Sequence, residues 1–283
     1  MTMTPMSMPT RTNFPLIGQP SLPAHWNGVA VWLTQTGLPL DAHAPNWVDS
    51  VYGFNLGVHV GEDVPRVLAR RHVLQTEVAC PIAWLNQVHG CGVVHIDGVD
   101  ALHAVSDADA SFTLNRDIAL AIMTADCLPV VFVALDEHSN AVGIAAAHAG
   151  WKGLLSGVLQ ASVAALMRSL DGRCTRVECF LGPAIGPDSF EVGAEVRDAF
   201  LLQNVQMTDC FRCSPWQEGH YLADLYALAR CALRTCGVNA IYGGGLDTLT
   251  DLRWFSHRRG LRHTQPTGRF ATLIRLIETA LGT

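Results

Sequence analysis

The sequence predicts a mixed α/β (α+β) domain in which layered mixed sheets are covered by helices. Three observations carry this expectation. Apolar runs of strand length alternate with amphipathic runs of helix length, without one dominant βαβ rhythm. Trp151 to Leu170 places Leu154, Leu155, Val158, Leu159, Val163, Leu166, Met167 and Leu170 at i, i+3, i+4 spacing, one face of a strong helix. No linker-like stretch interrupts residues 27–283, and 283 residues suit one large domain.

The elements follow in order. Residues 1–26 lack a contiguous apolar core and read as a flexible tail, not a signal peptide. Asn27–Thr34 is a strand. Thr36–Ser50, with Gly37, Pro39 and Pro45, is a loop. Asp63–Thr76 is a helix with an acidic start and Pro65 at an early position. Ala79–Trp84 is a strand leading into Asn86-Gln87-Val88-His89-Gly90. Ile118–Met123, Val130–Leu135 and Ala141–Ala147 are strands, followed by the Trp151–Leu170 helix. Arg176–Leu181 is a strand that runs into Gly182-Pro-Ala-Ile-Gly-Pro187. Gly193–Leu202 and Leu222–Cys236 are helices, the second ended by Gly237. Val238–Tyr242 and Phe270–Ile277 are the last strands.

Composition narrows the function. There are 19 basic and 25 acidic side chains, a net charge of −6, and no basic blocks, so no nucleic-acid partner is expected. The mean hydropathy of +0.22 raises the membrane question. Ile118–Leu135 reaches the ~18-residue length of a spanning helix. However, Asp126 near its middle would cost about 2.5–3.5 kcal/mol in a bilayer, and Pro129 would break the helix. Two buried strands around a polar break explain the run, and no membrane partner is expected. Nine scattered cysteines without an export signal read as reduced thiols of a cytoplasmic protein. Phosphate-binding, dinucleotide and metalloprotease motifs are missing, as is the G-x-S-x-G elbow. Cys210 and Cys213 form a lone C-x-x-C with no second pair at zinc-ribbon spacing.

Three segments share one design: a metal-ligating residue just after an apolar strand, beside a small residue or chain break. They carry His89, Cys127 and His148. Such separations suit strand ends meeting at one sheet edge. A Cys-His-His set suits Zn²⁺ and leaves a fourth position open, the arrangement of a catalytic site. Each residue alone has a plainer reading, as a satisfied polar group or a core thiol. Gly150 permits a tight turn into the following helix, whose N-terminus with Lys152 would attract an anion. Asp126, next to Cys127, is a candidate for proton transfer, or simply a hydrogen-bond anchor for its turn.

The chain resembles the bacterial laccase-domain family, first called multicopper polyphenol oxidases and later recognised as purine nucleoside phosphorylases. The resemblance rests on Gly53-Phe-Asn-Leu-Gly-Val-His-Val-Gly61, Asn86–Gly90, Asp107-Ala-Asp109, Thr124-Ala-Asp-Cys-Leu-Pro129 and Ala147-His-Ala-Gly-Trp-Lys-Gly153. It continues in Gly182–Pro187, Phe190-Glu-Val-Gly193, Tyr221-Leu-Ala-Asp-Leu225 and Trp254-Phe-Ser-His-Arg-Arg259. It implies zinc on His89, Cys127 and His148, and a layered fold shared with cytotoxic-necrotizing-factor-type cysteine hydrolases. It implies phosphorolysis of adenosine, inosine, guanosine and methylthioadenosine, with adenosine deamination as a second activity. Purine nucleosides and phosphate are then the partners. Arg71 and Lys152 are candidates for phosphate, and Asn55 and Gln87 for substrate. The chain departs from the family at Thr34-Gln35-Thr36-Gly37-Leu38, where relatives often carry Thr-Arg-x-Gly-Gly, and at Asp247-Thr248, where many carry Cys-Thr.

Other classes stand beside this reading. A copper-dependent polyphenol oxidase would use copper, though the chain has no His-x-His pair. A cysteine hydrolase would use Cys127 as nucleophile. A non-catalytic protein held together by zinc would turn over no nucleoside. The sequence leaves the oligomeric state open.

Overall fold

The apolar run 118–135 sets the layering. In the computed structural model, which describes residues 17–37, 52–103 and 105–278, it forms two strands in two different sheets. In chain order the elements begin β1 (Ile17–Gly18), β2 (Val29–Thr34), α1 (Val64–Val78), β3 (Ile82–Ala83) and β4 (Val93–His95). After a 3-10 turn come β5 (Ala110–Thr113), β6 (Ala119–Thr124), β7 (Leu128–Leu135), β8 (Ala141–Ala149), α2 (Trp151–Leu155) and α3 (Val158–Ser169). Then follow β9 (Arg176–Leu181), β10 (Glu191–Gly193), α4 (Ala194–Gln203), β11 (Phe211–Cys213) and β12 (His220–Ala223). The chain closes with α5 (Leu225–Thr235), β13 (Ile241–Gly243), α6 (His257–His263) and β14 (Phe270–Leu276).

A five-stranded sheet has the order β1-β2-β14-β6-β3, and a six-stranded sheet the order β13-β9-β7-β8-β5-β4. A small sheet, β10-β12-β11, lies apart from them. In β6, Ala119, Ala121 and Met123 join a cluster with Leu74 and Val78 of α1. Leu120 and Ile122 alternate with them and join Val131, Val133, Ile144 and Phe180 of the six-stranded sheet. Val130, Phe132 and Ala134 of β7 cluster with Val163 and Leu166 of α3 and Leu228 and Ala229 of α5. The order of layers is therefore α1, five strands, six strands, α3 with α5. β7 is buried on both faces, which is why its sequence shows no polar alternation. Each such Val, Leu or Phe contributes about 1.5–3 kcal/mol on full burial. Among the described residues no helix is long and apolar enough to cross a membrane.

Several expectations shift. The Trp151–Leu170 helix breaks in two because Gly157 sits at φ +84°, a left-handed conformation that cannot continue a helix. Ala79–Trp84 shortens to β3 because Ala79 is the left-handed cap of α1. Leu222 belongs to β12, and α5 starts only after Asp224, whose side chain accepts from Ala227 N–H at 2.9 Å. Val238–Tyr242 moves to β13. The tail expected over 1–26 does not reach residue 26: Ile17 and Gly18 pair with Thr34 and Leu33, and Trp26 is buried. Of the loop expected at 36–50, residues 38–50 lie outside the described residues. Arg176–Leu181 and Phe270–Leu276 fall where the pattern puts them, and β5 is an addition.

Candidate metal centre

The crossover between the two sheets, residues 125–127, carries Cys127. His89 follows β3, and His148 lies near the end of β8. One ligand atom of each comes within 4.8 Å of the other two. Cys127 Sγ and His89 Nε2 are 4.0 Å apart, and the two imidazoles meet edge to face with centroids 4.7 Å apart. The three strand ends picked out by the sequence therefore converge. Gly150 is part of the reason. A Cβ there would lie 2.9 Å from Cys127 Sγ and 3.4 Å from His89 Cδ2, so only glycine leaves the thiol its place.

Asp109, just before β5, organises both histidines. His148 Nδ1 donates to its Oδ1 at 2.7 Å, which leaves Nε2 for a metal. Oδ1 also accepts from the N–H of His89 (2.9 Å), and Oδ2 accepts from those of Val88 (3.2 Å) and Gly90 (2.6 Å). That nest of amides holds His89 at φ +61°, an uncommon conformation for a non-glycine residue. Burial works against the Asp109 charge, but His148 and the Gly90 and His89 amides outweigh it and hold its carboxyl below the usual range. Asp109 is the main residue not assigned a role from sequence; its membership in the Asp107-Ala-Asp109 stretch was the available signal.

The same geometry sets the protonation of the triad. Burial pushes the Cys127 thiol up, yet His148 and His89 more than reverse this and bring it down to about 6. Burial pushes His148 down, yet Cys127 and Asp109 raise it to about 9. Each of the two groups thus favours the charged form of the other.

The other expected residues are placed as follows. Gln87 exchanges two hydrogen bonds with the Met123 backbone, at 2.7 and 2.9 Å, and so ties the His89 segment to β6. Asp126, at φ +90°, accepts from Thr248 Oγ1 at 2.6 Å and from Arg258 N–H at 2.7 Å. It anchors the Cys127 turn to the start of α6. Asn55 is fully buried and bonds Gly57, Glu62 and the Arg269 amide. Arg71 donates to Leu56 O at 2.9 Å and to Met123 Sδ at 3.3 Å and lies 4.0 Å over the Trp84 ring. Lys152 is exposed, on a helix of only five residues. Asp247, where many relatives carry Cys, accepts from Gly186 N–H and Ser189 Oγ and so fixes the Gly182–Pro187 loop. Cys210 is buried and Cys213 exposed, and both are free.

A cavity of about 170 Å³ opens on the triad, with His59, Gln87, His257 and Arg269 on its wall. A second, of about 130 Å³, also reaches Cys127 and is lined by Trp151, Ile185, Phe190 and Leu225 with Asp126 and Arg258. His59, His257 and Arg269 were not singled out from sequence, although the first two stand in the quoted stretches.

Residues 47–277 match the family model described as multi-copper polyphenol oxidoreductase laccase. The chain belongs to this family. A purine nucleoside phosphorylase of Pseudomonas aeruginosa is 44% identical over 78% of this chain and 84% of its own. Purine nucleoside phosphorylase YfiH of Escherichia coli K12 is 41% identical over 79% of this chain and 86% of its own. A crystal structure of a Neisseria meningitidis protein, 37% identical, superposes with a TM-score of 0.78 over 93% of this chain and all of that one. The family's layered fold is thus the fold found here. Its residues also suit a metal: two imidazoles and a low-lying thiol, one imidazole backed by a carboxylate, span a distance that one ion with bonds of about 2.0–2.3 Å bridges after a small contraction.

Proposed function

We propose that this protein is a zinc-dependent purine nucleoside phosphorylase acting on adenosine, inosine, guanosine and methylthioadenosine. The observation that carries the reading is the His89-Cys127-His148 triad open to a cavity. It is supported by relatives named purine nucleoside phosphorylase at over 40% identity. These three residues would hold the zinc, which when bound supplies a Lewis acid for a substrate or water oxygen. Asp109 keeps His148 in one tautomer, and Gln87 and Asp126 fix the backbone on either side of the ligands. Adenosine deamination is the second activity: water adds at C6 in place of phosphate at C1′, and ammonia leaves. Nine free cysteines suit a reducing cytoplasm.

The polyphenol oxidase reading would need several copper centres. Among the described residues one group of three metal-ligating side chains is found, which favours a single ion. A cysteine hydrolase would use the Cys127 thiolate directly. The test is zinc-loaded protein with adenosine, with and without phosphate. Adenine and ribose 1-phosphate formed only with phosphate is the expected outcome, blocked by a chelator and spared by mild alkylation. Inosine alone would replace phosphorolysis with deamination, and no turnover would overturn both.

A further inference from the structure

Arg269 stands out among the charges of this molecule. It is largely withdrawn from water, and burial holds its guanidinium below its ordinary range. Of its five N–H donors, one meets an acceptor among the described residues, Gly268 O at 2.9 Å. No carboxylate among the described residues forms an ion pair with it, whereas buried Arg70 is paired with Glu62 at 2.7 Å. A secluded guanidinium with idle donors on a cavity wall is a site for an anion. His59 and His257 line the same cavity. Burial and then the Arg269 charge hold both imidazoles low, so each is neutral and able to donate one N–H without repelling the guanidinium.

The second cavity has more apolar wall: Trp151, Phe190, Ile185 and Leu225 line it beside Asp126 and Arg258 and suit a planar heterocycle. The two cavities meet at Ala125, Cys127 and His257. Displacement at a ribose C1′ needs the incoming oxygen and the departing base on opposite faces of that carbon. Two compartments of contrasting chemistry joined at a shared wall meet that need.

We propose that the two cavities divide the reactants: inorganic phosphate is held on Arg269 with His59 and His257 beside it, and the purine ring lies against Trp151 and Phe190. The assignment rests on the phosphorylase reading. A phosphate oxygen forms its bond to C1′ as the C1′–N9 bond breaks. The electron pair leaves with the purine nitrogen, which takes up the proton that hydrogen phosphate gives up. Arg71 and Lys152 line neither of these two cavities.

The experiment compares zinc-loaded wild type with Arg269→Gln, Arg269→Lys and Phe190→Ala. Kinetics give the KM for each substrate, and equilibrium dialysis gives the binding of inorganic phosphate and of adenine separately. Arg269→Gln is expected to weaken phosphate about 10–100-fold, the worth of a charge-assisted contact, with adenine binding within twofold of wild type. Phe190→Ala is expected to do the reverse. Arg269→Lys keeps the stem that packs on Gly57 and serves if the glutamine variant does not fold. It should raise the phosphate KM about 3–10-fold and leave the nucleoside KM alone. Unchanged phosphate binding in the folded Arg269 variants, or equal loss of phosphate and adenine, overturns the assignment. If wild type splits no nucleoside, the phosphorylase reading fails, while the phosphate dialysis still decides whether Arg269 is an anion site.

Discussion

Cys127 stands one residue before β7, and Cys179 pairs with Phe132 in the middle of that strand. Both are free thiols beside one strand, Cys127 just before it and Cys179 on its neighbour. Burial raises Cys179, and its charged neighbours do little to offset that. Burial raises Cys127 too, but the imidazoles of His148 and His89 reverse the sign. The difference teaches that chemistry at this sheet edge comes from the neighbours brought in by β3, β5 and β8, not from the cysteine or its depth.

The comparison breaks most sharply by deletion. Cys127→Ala is expected to lose bound zinc and all phosphorolysis, measured by metal analysis and adenine release. Cys179→Ala should keep both and lose about 1 kcal/mol of stability in a urea melt, the typical size for a small core truncation. A Cys127→Ala enzyme with full activity would remove the metal centre from the mechanism. Next in size is Asp109→Asn. The amide cannot serve both as acceptor for His148 Nδ1–H and as the charge on which three N–H groups converge. Zinc affinity, read by competition with a chelator, should fall about 10–100-fold. Gly150→Ala comes third. Its methyl would press on Cys127 Sγ and cost roughly 1–2 kcal/mol, near tenfold in zinc affinity. The smallest effect is a shift along the pH axis. In chelator-treated protein, alkylation of Cys127 should rise through an inflection near pH 6 and stay flat above it, because the lowered thiol is already ionised at neutrality. Cys179 should remain unmodified throughout. A Cys127 inflection at the ordinary thiol value would show that the imidazoles do not govern it.

Much of this centre was legible in the sequence, and for a physical reason. His89, Cys127 and His148 each follow an apolar strand and sit by a residue that turns the chain, so local pattern places them at strand ends. Asp109 was not legible as an organiser, because its partner His148 is 39 positions away and only the antiparallel pairing of β5 with β8 brings them together. Arg269 lies one residue before β14, which returns from the far end of the chain to pair with β6. Lys152, four residues from His148, stands exposed on a five-residue helix. The layers were readable in outline from alternating apolar runs, whereas the breaks at Gly157 and Asp224 depended on single residues whose conformation or capping cuts a helix short.

The placement of the triad has a mechanical consequence. His89 leaves the five-stranded sheet, His148 sits on the six-stranded one, and Cys127 is on the strand-to-strand passage between them. An ion gripped by all three is a rivet through both sheets. At a thousandfold excess over its dissociation constant, it would add about 4 kcal/mol against their separation. Loss of the ion would then loosen the two sheets at the edge where these three residues meet.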